Sequence, residues 1–561
     1  MGAAPRGAAG GYGRGVVTRA DVRRGVQGLV GAAAMIAAIT VLSRVLGLAR
    51  VLVQAHAVGA NDIANMYNAA NQLPNILFET AAGGALAGAV VPLIAAPIAA
   101  GDRERVSRIA SAALGWTLLV LVPLGLVLAA AAGPFAAAVG RGDPGLVAAA
   151  RYFVLVFSVQ VPMYGLAVLL YAVLQAHKRF FWPAFAPVLN SLVVIVAYVV
   201  YGVMADGERV DPAGLPAGAL AALAWGTTAG VAAMVLPVLR PVRRLGVRLR
   251  PTLRFPPGSG VRFRALALAG IGSVAAQQVS VAVVLWLATQ RLPGGDSGLT
   301  AFMYAQQVYL LPYAVLVVPL ATSTFPRIAG YAAAVDRVRL THVAAVTTRA
   351  VLAVAALGAA AVLAGGPALA SVFAGLAGEG AVTDGMTAAL VAMAPGVVGL
   401  GVLFHVSRTL YAVDRPRTAI AVSAVAWLAV TAASLLAVLT APQGAGTELF
   451  ARLGLGTTVG MAVGGVVALV ALGRTVGTAA LAGLSRTLVV VLVAAAVASA
   501  LGRVVADAVL DVVGDDPLTA AAAAAGGAVV AGAVVAAAVA LLDRSTLVGV
   551  LRAETASVTT R

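Results

Sequence analysis

Arg44 and Arg50 lie inside the first long apolar stretch of the chain, which runs from Gly31 to Ala60. A guanidinium held in hydrocarbon costs at least about 2.5–3.5 kcal/mol, and arginine does not escape that cost by losing its proton. Two such residues on one span call for a water-filled cavity, an anion, or both. Snorkelling relieves a charge close to a span end, but Arg44 is too far from either end for that to serve both residues. On a helix Ser43, Gly47 and Arg50 share a face, and Arg44 is turned about 100° from Ser43. The two cations are therefore expected to line one cavity without stacking on each other. Guanidinium groups grip phosphate well, through paired hydrogen bonds.

A second constellation follows at once. Asn65, Asn68, Gln72, Asn75 and Glu79 recur at steps of three and four, which puts all five on one side of a helix. Asn71 lies nearby, and Pro74 removes a backbone donor in mid-stripe. Hydrogen bonding between helices, at about 0.6–2 kcal/mol per bond, accounts for one or two such residues. Five of them ending in a carboxylate point to a cavity wall. In the second half of the chain Gln277, Gln278, Gln306 and Gln307 are neutral counterparts, so cationic charge concentrates in the first half.

The elements that position these residues are membrane spans. The chain has 561 residues, 61% of them hydrophobic and 11% charged, with a mean hydropathy of +0.98. Apolar stretches long enough to cross a bilayer recur along the whole length. The expected fold is an all-α polytopic membrane protein of about fourteen transmembrane helices. With the N-terminus in the cytoplasm, the basic residues fall in the inner loops. The exceptions are Arg141, Arg151, Arg209, Arg291, Arg452, Arg503 and the two embedded arginines. The positive-inside rule then places both termini inside. That distribution also argues against nucleic acid as the partner of a chain with net charge +17. Cysteine is absent and the four histidines are scattered, so no thiolate or histidine metal site is expected. The single lysine, Lys178, belongs to no phosphate-binding loop. No cofactor is expected.

Two matches suggest an internal duplication. Leu170-Tyr171-Ala172-Val173 reappears as Leu410-Tyr411-Ala412-Val413, and Leu73-Pro74 as Leu311-Pro312. Six crossings per copy give the copies one orientation and an axis along the membrane normal. The expected organisation is a disordered basic segment 1–25, a six-helix lobe 26–239, a linker 240–264, a second six-helix lobe 265–475, a C-terminal helix pair 476–545 and a tail 546–561. The arginines of the linker, Arg240 through Arg264, suit anionic lipid headgroups. Two lobes around a central cavity are the plan of an alternating-access transporter.

The residues Ser43-Arg44-Val45-Leu46-Gly47-Leu48-Ala49-Arg50, then Leu73-Pro74-Asn75, Val91-Pro92 and Pro183-Ala184-Phe185-Ala186-Pro187, resemble the MurJ/MviN lipid II flippases. These belong to the multidrug/oligosaccharidyl-lipid/polysaccharide exporter superfamily. The resemblance implies fourteen helices in two six-helix lobes plus a C-terminal pair. It also implies translocation of an undecaprenyl-pyrophosphate-linked peptidoglycan precursor from the inner to the outer leaflet. Arg44 and Arg50 match the helix 1 arginines that the family implies hold the pyrophosphate, with Ser43 adjoining. The implied substrate site comprises Arg44, Arg50, Ser43, Asn68, Gln72, Asn75, Glu79 and Gln307. The chain departs from the family at Phe78, where a basic residue is usual, and at Gly83, where a glutamate is. Asn65 replaces an acidic residue, with Asp62 nearby, and Gln307 replaces an arginine after Tyr304 and Ala305.

The expected partners are lipid II or a related polyprenyl-pyrophosphate-linked glycan and the bilayer of the bacterial cytoplasmic membrane. A monovalent cation is a candidate for coupling, and the chain is expected to act as a monomer. The alternative is an exporter of small molecules or of other polyprenyl-linked oligosaccharides on the same superfamily fold. A membrane enzyme would want clustered carboxylates for Mg²⁺, and the only acidic cluster, Asp507 to Asp516, falls in an outer loop. The cysteine-free chain permits a direct test of orientation. A cysteine at Gly207 is expected to react with an impermeant thiol reagent from outside the cell, and one at Gly258 to stay unlabelled.

Overall fold

The computed structural model describes residues 19–544 except 206–213, 217, 293–297, 378–380, 443–445 and 515. The described residues form a polytopic helical membrane protein without strands. The first half contains α1 (Arg19–Ala57), α2 (Asp62–Phe78), α3 (Gly84–Ala99), α4 (Arg103–Ala130), α5 (Ala132–Val139), α6 (Pro144–Ser158), α7 (Gln160–Ala176), α8 (Phe181–Ala205) and α9 (Ala219–Arg244). After the linker come α10 (Ser259–Arg291), α11 (Gly298–Pro312), α12 (Val318–Ala333), α13 (Arg337–Ala377), α14 (Ala381–Met393), α15 (Gly396–Ala412), α16 (Pro416–Leu439) and α17 (Glu448–Thr475). The chain ends in the pair α18 (Leu484–Val513) and α19 (Pro517–Leu542). Helix α1 starts within the segment 1–25; the rest of that segment, and the tail 546–561, lie outside the described residues.

Among the described residues twelve helices are long and apolar enough to cross a membrane, or thirteen if α14 and α15, bent by 48°, make one span. The expected count of fourteen is not reached on that measure. The expected second span does not enter that count, since among the described residues only Ala89–Ala99 stands there as a short apolar helix. The backbone there is nonetheless helical from Asp62 to Ala99, as α2, a π turn over Glu79–Gly83, and α3.

The duplication is plain in the backbone. The counterpart of α2–π–α3 is α11–π–α12, whose π turn spans Tyr313–Val317. Helix α3 ends on Gly101 with φ +72°, and α12 ends on Val335 with φ +57°. Each is followed by an aspartate that caps the next helix. Asp102 accepts from the amide of Arg105 at 2.8 Å, and Asp336 from that of Arg339 at 3.0 Å. Lys178 and Asp414 occupy a second matching pair of left-handed turns, at φ 59° and 58°. There Arg179 N–H donates to Leu174 and Arg415 N–H to Leu410. Leu174 therefore corresponds to Leu410. The two sequence matches that reveal the repeat are one helical turn out of step with this equivalence.

Buried apolar residues of the first half gather around Tyr67, Phe153 and Phe157 and around Val106 and Leu170; those of the second gather around Phe302, Phe373 and Val397, a cluster that also takes in Val51, Ala55 and Ala69 of the first half. The pair α18 and α19 packs along α13. Small residues allow this approach: a Cβ on Gly502 would collide with the carbonyl oxygen of Gly527. Helix α10 crosses between the halves, touching α3 and the first π turn on one side and α16 on the other.

The paired turns yield a stability prediction. A β-branched residue in the left-handed region costs about 1–2 kcal/mol, and Val335 is 77% exposed. Val335→Gly is expected to raise the thermal stability of the detergent-solubilised protein by about 1 kcal/mol, and Gly101→Val to lower it by a similar amount. A Cβ at Gly101 would meet nothing within 4 Å, so backbone strain alone decides the outcome.

Candidate functional site

Two cavities meet at the interface of the halves. The first, of about 310 Å³, is lined by Arg50 on α1, by Asn68, Asn71, Gln72 and Asn75 on α2, and by tyrosines from α2, α7 and α8. The second, of about 540 Å³, lies on the side of the second half. Its polar lining is neutral and includes Gln277, Gln306, Tyr313 and Trp427. Gln72, Gln307 and Met303 line both and mark their junction.

Arg50 is the cation of the first cavity. It is half-buried, and Tyr67, Tyr164 and Tyr198 all lie within its electrostatic reach. Tyr164 is also in hydrogen-bonding range of Asn75. Among the described residues no carboxylate pairs with Arg50. Its positive charge faces a polar cavity ringed by hydroxyls and amides. A half-buried cation without a counter-ion is poised for an anionic ligand.

The ring of polar groups is rigid. Tyr67 packs edge-on against Phe153, Phe157 and Tyr198. Its hydroxyl lies 2.9 Å from both the Tyr198 hydroxyl and Thr227 Oγ1. Tyr198 reaches Gln54 Oε1 at 3.4 Å, and Gln54 Nε2 donates to Asn68 Oδ1 at 2.9 Å. Asn68 Nδ2 in turn donates to Thr300 Oγ1 on α11 at 3.0 Å. Thr300 then donates to Asn65 Oδ1 twice, from its hydroxyl at 2.8 Å and its amide at 2.9 Å. Close by, the Tyr304 hydroxyl donates to Gly59 O at 3.2 Å. A continuous chain of side-chain hydrogen bonds thus runs from the cavity wall to a latch that joins the halves. The latch lies at the end of the bundle that carries the α1–α2 loop.

The sequence-derived candidates separate into groups. Arg50, Gln72, Asn75 and Gln307 line the first cavity. Asn68 lines it too, but it is 4% exposed, like Asn65, and its amide is committed to the latch. Half of the stripe therefore holds helices together. Arg44, Ser43 and Glu79 line neither cavity. Six residues place Arg44 about 9 Å along α1 and roughly 120° around it from Arg50. It is exposed and lies within electrostatic reach of Tyr313, which lines the second cavity. Ser43 is half-buried on α1. Glu79 opens the π turn, half-buried, with no ion pair among the described residues.

Several site residues escape sequence reading. Arg408 reads as a loop-end cation, yet it sits on α15, its guanidinium 4.6 Å above the Phe404 ring and within reach of Tyr313. Tyr313 thus lies within electrostatic reach of both Arg44 and Arg408. Tyr164, Tyr198 and Thr227 come from three further helices and carry no local spacing that unites them. The only signal for Arg408 was its position inside the tenth apolar stretch.

Two helical halves with a polar cavity between them and a hydrogen-bonded latch have the fold seen in multidrug exporters. The structure superposes on an inward-facing multidrug resistance MATE family transporter of the MOP superfamily with TM-score 0.63 and 15% identity, covering 79% of this chain and 98% of that one. It superposes on a lipid II flippase MurJ in an inward closed conformation with TM-score 0.66 and 17% identity, covering 88% and 96%. Residues 54–521 match the family model described as lipid II flippase MurJ, and the chain belongs to that family. A probable lipid II flippase MurJ of Rhizobium meliloti is 26% identical over 52% of this chain and 53% of its own length. The lipid II flippase MurJ of Burkholderia cenocepacia is 29% identical over 51% and 54%. The chain spans about half the length of these curated relatives.

The latch is testable apart from any cargo. Thr300→Val keeps the side-chain volume and the backbone bond to Asn65 but leaves the Asn68 amide without its acceptor. The loss is worth about 1–3 kcal/mol. A cysteine at Asn71 in that background is expected to react at least several-fold faster with a hydrophilic thiol reagent than in the parent.

Proposed function

We propose that the chain carries lipid II, the undecaprenyl-pyrophosphate-linked peptidoglycan precursor, from the inner to the outer leaflet of a bacterial cytoplasmic membrane by alternating access. One observation carries the reading: Arg50, with no ion pair among the described residues, presents its guanidinium to a polar cavity between the halves. The pyrophosphate supplies the missing negative charge, and the guanidinium meets it through paired hydrogen bonds. Gln72, Asn75 and Gln307 complete the donor set, and Asn68 and Gln54 connect it to the latch. Arg44 attracts the anion on its way in, with Ser43 beside it. The neutral amides and Trp427 of the adjoining cavity face the sugars.

In this reading both termini lie in the cytoplasm, so the latch closes the outer side and the cargo loads from the inner one. The protein works as a monomer, as a transporter and not as an enzyme. A monovalent cation or the membrane potential resets it, and Glu79 is the embedded carboxylate available for that coupling. An exporter of organic cations on the same fold is less well supported. Cation recognition wants carboxylates facing the cavity, and Glu79 lines neither one.

The test is rescue of cells depleted of their own lipid II flippase. The parent chain is expected to restore growth. Arg50→Ala is expected to cut the appearance of lipid II in the outer leaflet by at least about tenfold, the equivalent of losing a charge-assisted hydrogen bond of about 1.5–3 kcal/mol. Arg44→Ala is expected to reduce it less, with membrane insertion unchanged in both. Full rescue by the double variant at parental expression overturns the pyrophosphate clasp.

A further inference from the structure

A third pocket lies apart from the central cavities. It has a volume of about 490 Å³ and sits where α4, the first π turn, the start of α3, the linker and the first turns of α10 meet. Its wall is apolar, built by Leu86, Val120, Phe255, Phe263 and Ile271 among others. One side of its rim is apolar and points outward, with Val261 72% and Leu268 62% exposed. The Trp116 indole N–H donates to the carbonyl of Leu253 at 3.1 Å, which fixes the linker across one edge. Ser111 on α4 holds the same strand of linker. Its hydroxyl donates to Arg248 O and accepts from Arg250 N–H, both at 3.0 Å. A tryptophan with one end wet and one end apolar marks the headgroup level of a bilayer.

The pocket is apolar inside and cationic at its mouth. Arg264 lines it, and Arg254 lies between the lining residues Leu253 and Phe255. Both arginines are exposed, and neither enters an ion pair among the described residues. Each lies at the junction of a membrane span and the basic linker, where lipid phosphates reside.

We propose that this pocket binds one anionic phospholipid, with part of an acyl chain in the apolar wall and the headgroup phosphate between Arg254 and Arg264. The two halves of the site select the ligand together. A free phosphate leaves the apolar wall wet. A zwitterionic phospholipid fills the wall but brings its ammonium towards two guanidinium groups. A lipid with net negative charge satisfies both. The bound lipid bridges α4 of the first half and α10 of the second. This site is separate from the Arg50 cavity and does not depend on the identity of the cargo.

The experiment uses the full chain in nanodiscs of phosphatidylcholine doped with a phospholipid that carries a photoactivatable acyl chain. Phosphatidylglycerol and phosphatidylcholine probes are compared at equal mole fraction, and adducts are located by peptide mass spectrometry. Phosphatidylglycerol is expected to label the stretches 116–120 and 255–271 at least about fivefold more than phosphatidylcholine does. Arg254→Gln with Arg264→Gln is expected to equalise the two probes. Ala267→Phe, which fills the pocket, is expected to remove the labelling preference while the cationic rim stays in place. Equal labelling of the parent by both probes overturns the proposal and needs no variant. Retention of the preference in the double glutamine variant overturns it as well.

Discussion

An arginine charge that water cannot freely reach is the constraint around which the central region is organised. Arg50 cannot neutralise itself, and no carboxylate answers it among the described residues. The surrounding helices therefore supply tyrosine hydroxyls and amide groups, and a cavity of about 310 Å³ remains among them. Those polar groups must be satisfied in turn, and they are satisfied by one another. The result is a connected chain from Thr227 through Tyr67, Tyr198, Gln54 and Asn68 to Thr300. In surroundings of low dielectric such a chain stiffens as a unit, because each bond polarises the next.

The same amides serve two purposes. Gln54 and Asn68 face the cavity and also hold the halves together at one end. An anion that draws an amide donor towards itself withdraws that donor from the latch. In the proposed function, binding and opening are thus linked through shared hydrogen-bonding groups. The largest apolar cluster itself reaches across, joining Val51, Ala55 and Ala69 of the first half to Phe302 and Phe373 of the second.

Charge and periodicity made much of this legible from residues alone. The embedded arginines and the amide stripe announce a polar cavity, and Arg50, Gln72, Asn75 and Gln307 are indeed at one. Periodicity gives a face but not a depth, so it could not tell that Asn65 lies in a dry interface and that the Asn68 amide at the cavity edge is committed to it, while Gln72 and Asn75 face the cavity. It also assumes an unbroken α-helix. Glu79 opens a π turn, and the register on which the stripe depends ends there. Arg44 shares a helix with Arg50 but not its surroundings. Tyr164, Tyr198 and Arg408 reach the site from distant segments, where only tertiary packing unites them. The duplication was visible, yet its register was misleading. In a chain so rich in alanine, leucine and valine, a slip of one helical turn preserves nearly every apolar match, whereas the caps at Asp102 and Asp336 fix the true equivalence.

The paired π turns at Glu79–Gly83 and Tyr313–Val317 have a mechanical meaning. Each holds one residue more than an α-helical turn can seat. Such a surplus is a mobile dislocation: when it migrates along its helix, the stretch it passes rotates by about 100° while the rest keeps its hydrogen bonds. The far ends of both helices are anchored by their terminal turns, so rotation is confined to the middle. Because the two π turns occupy equivalent positions in the two halves, a shift of either one turns the stretch that bears Gln72 or Gln307 by a residue's step relative to the capped end of its helix.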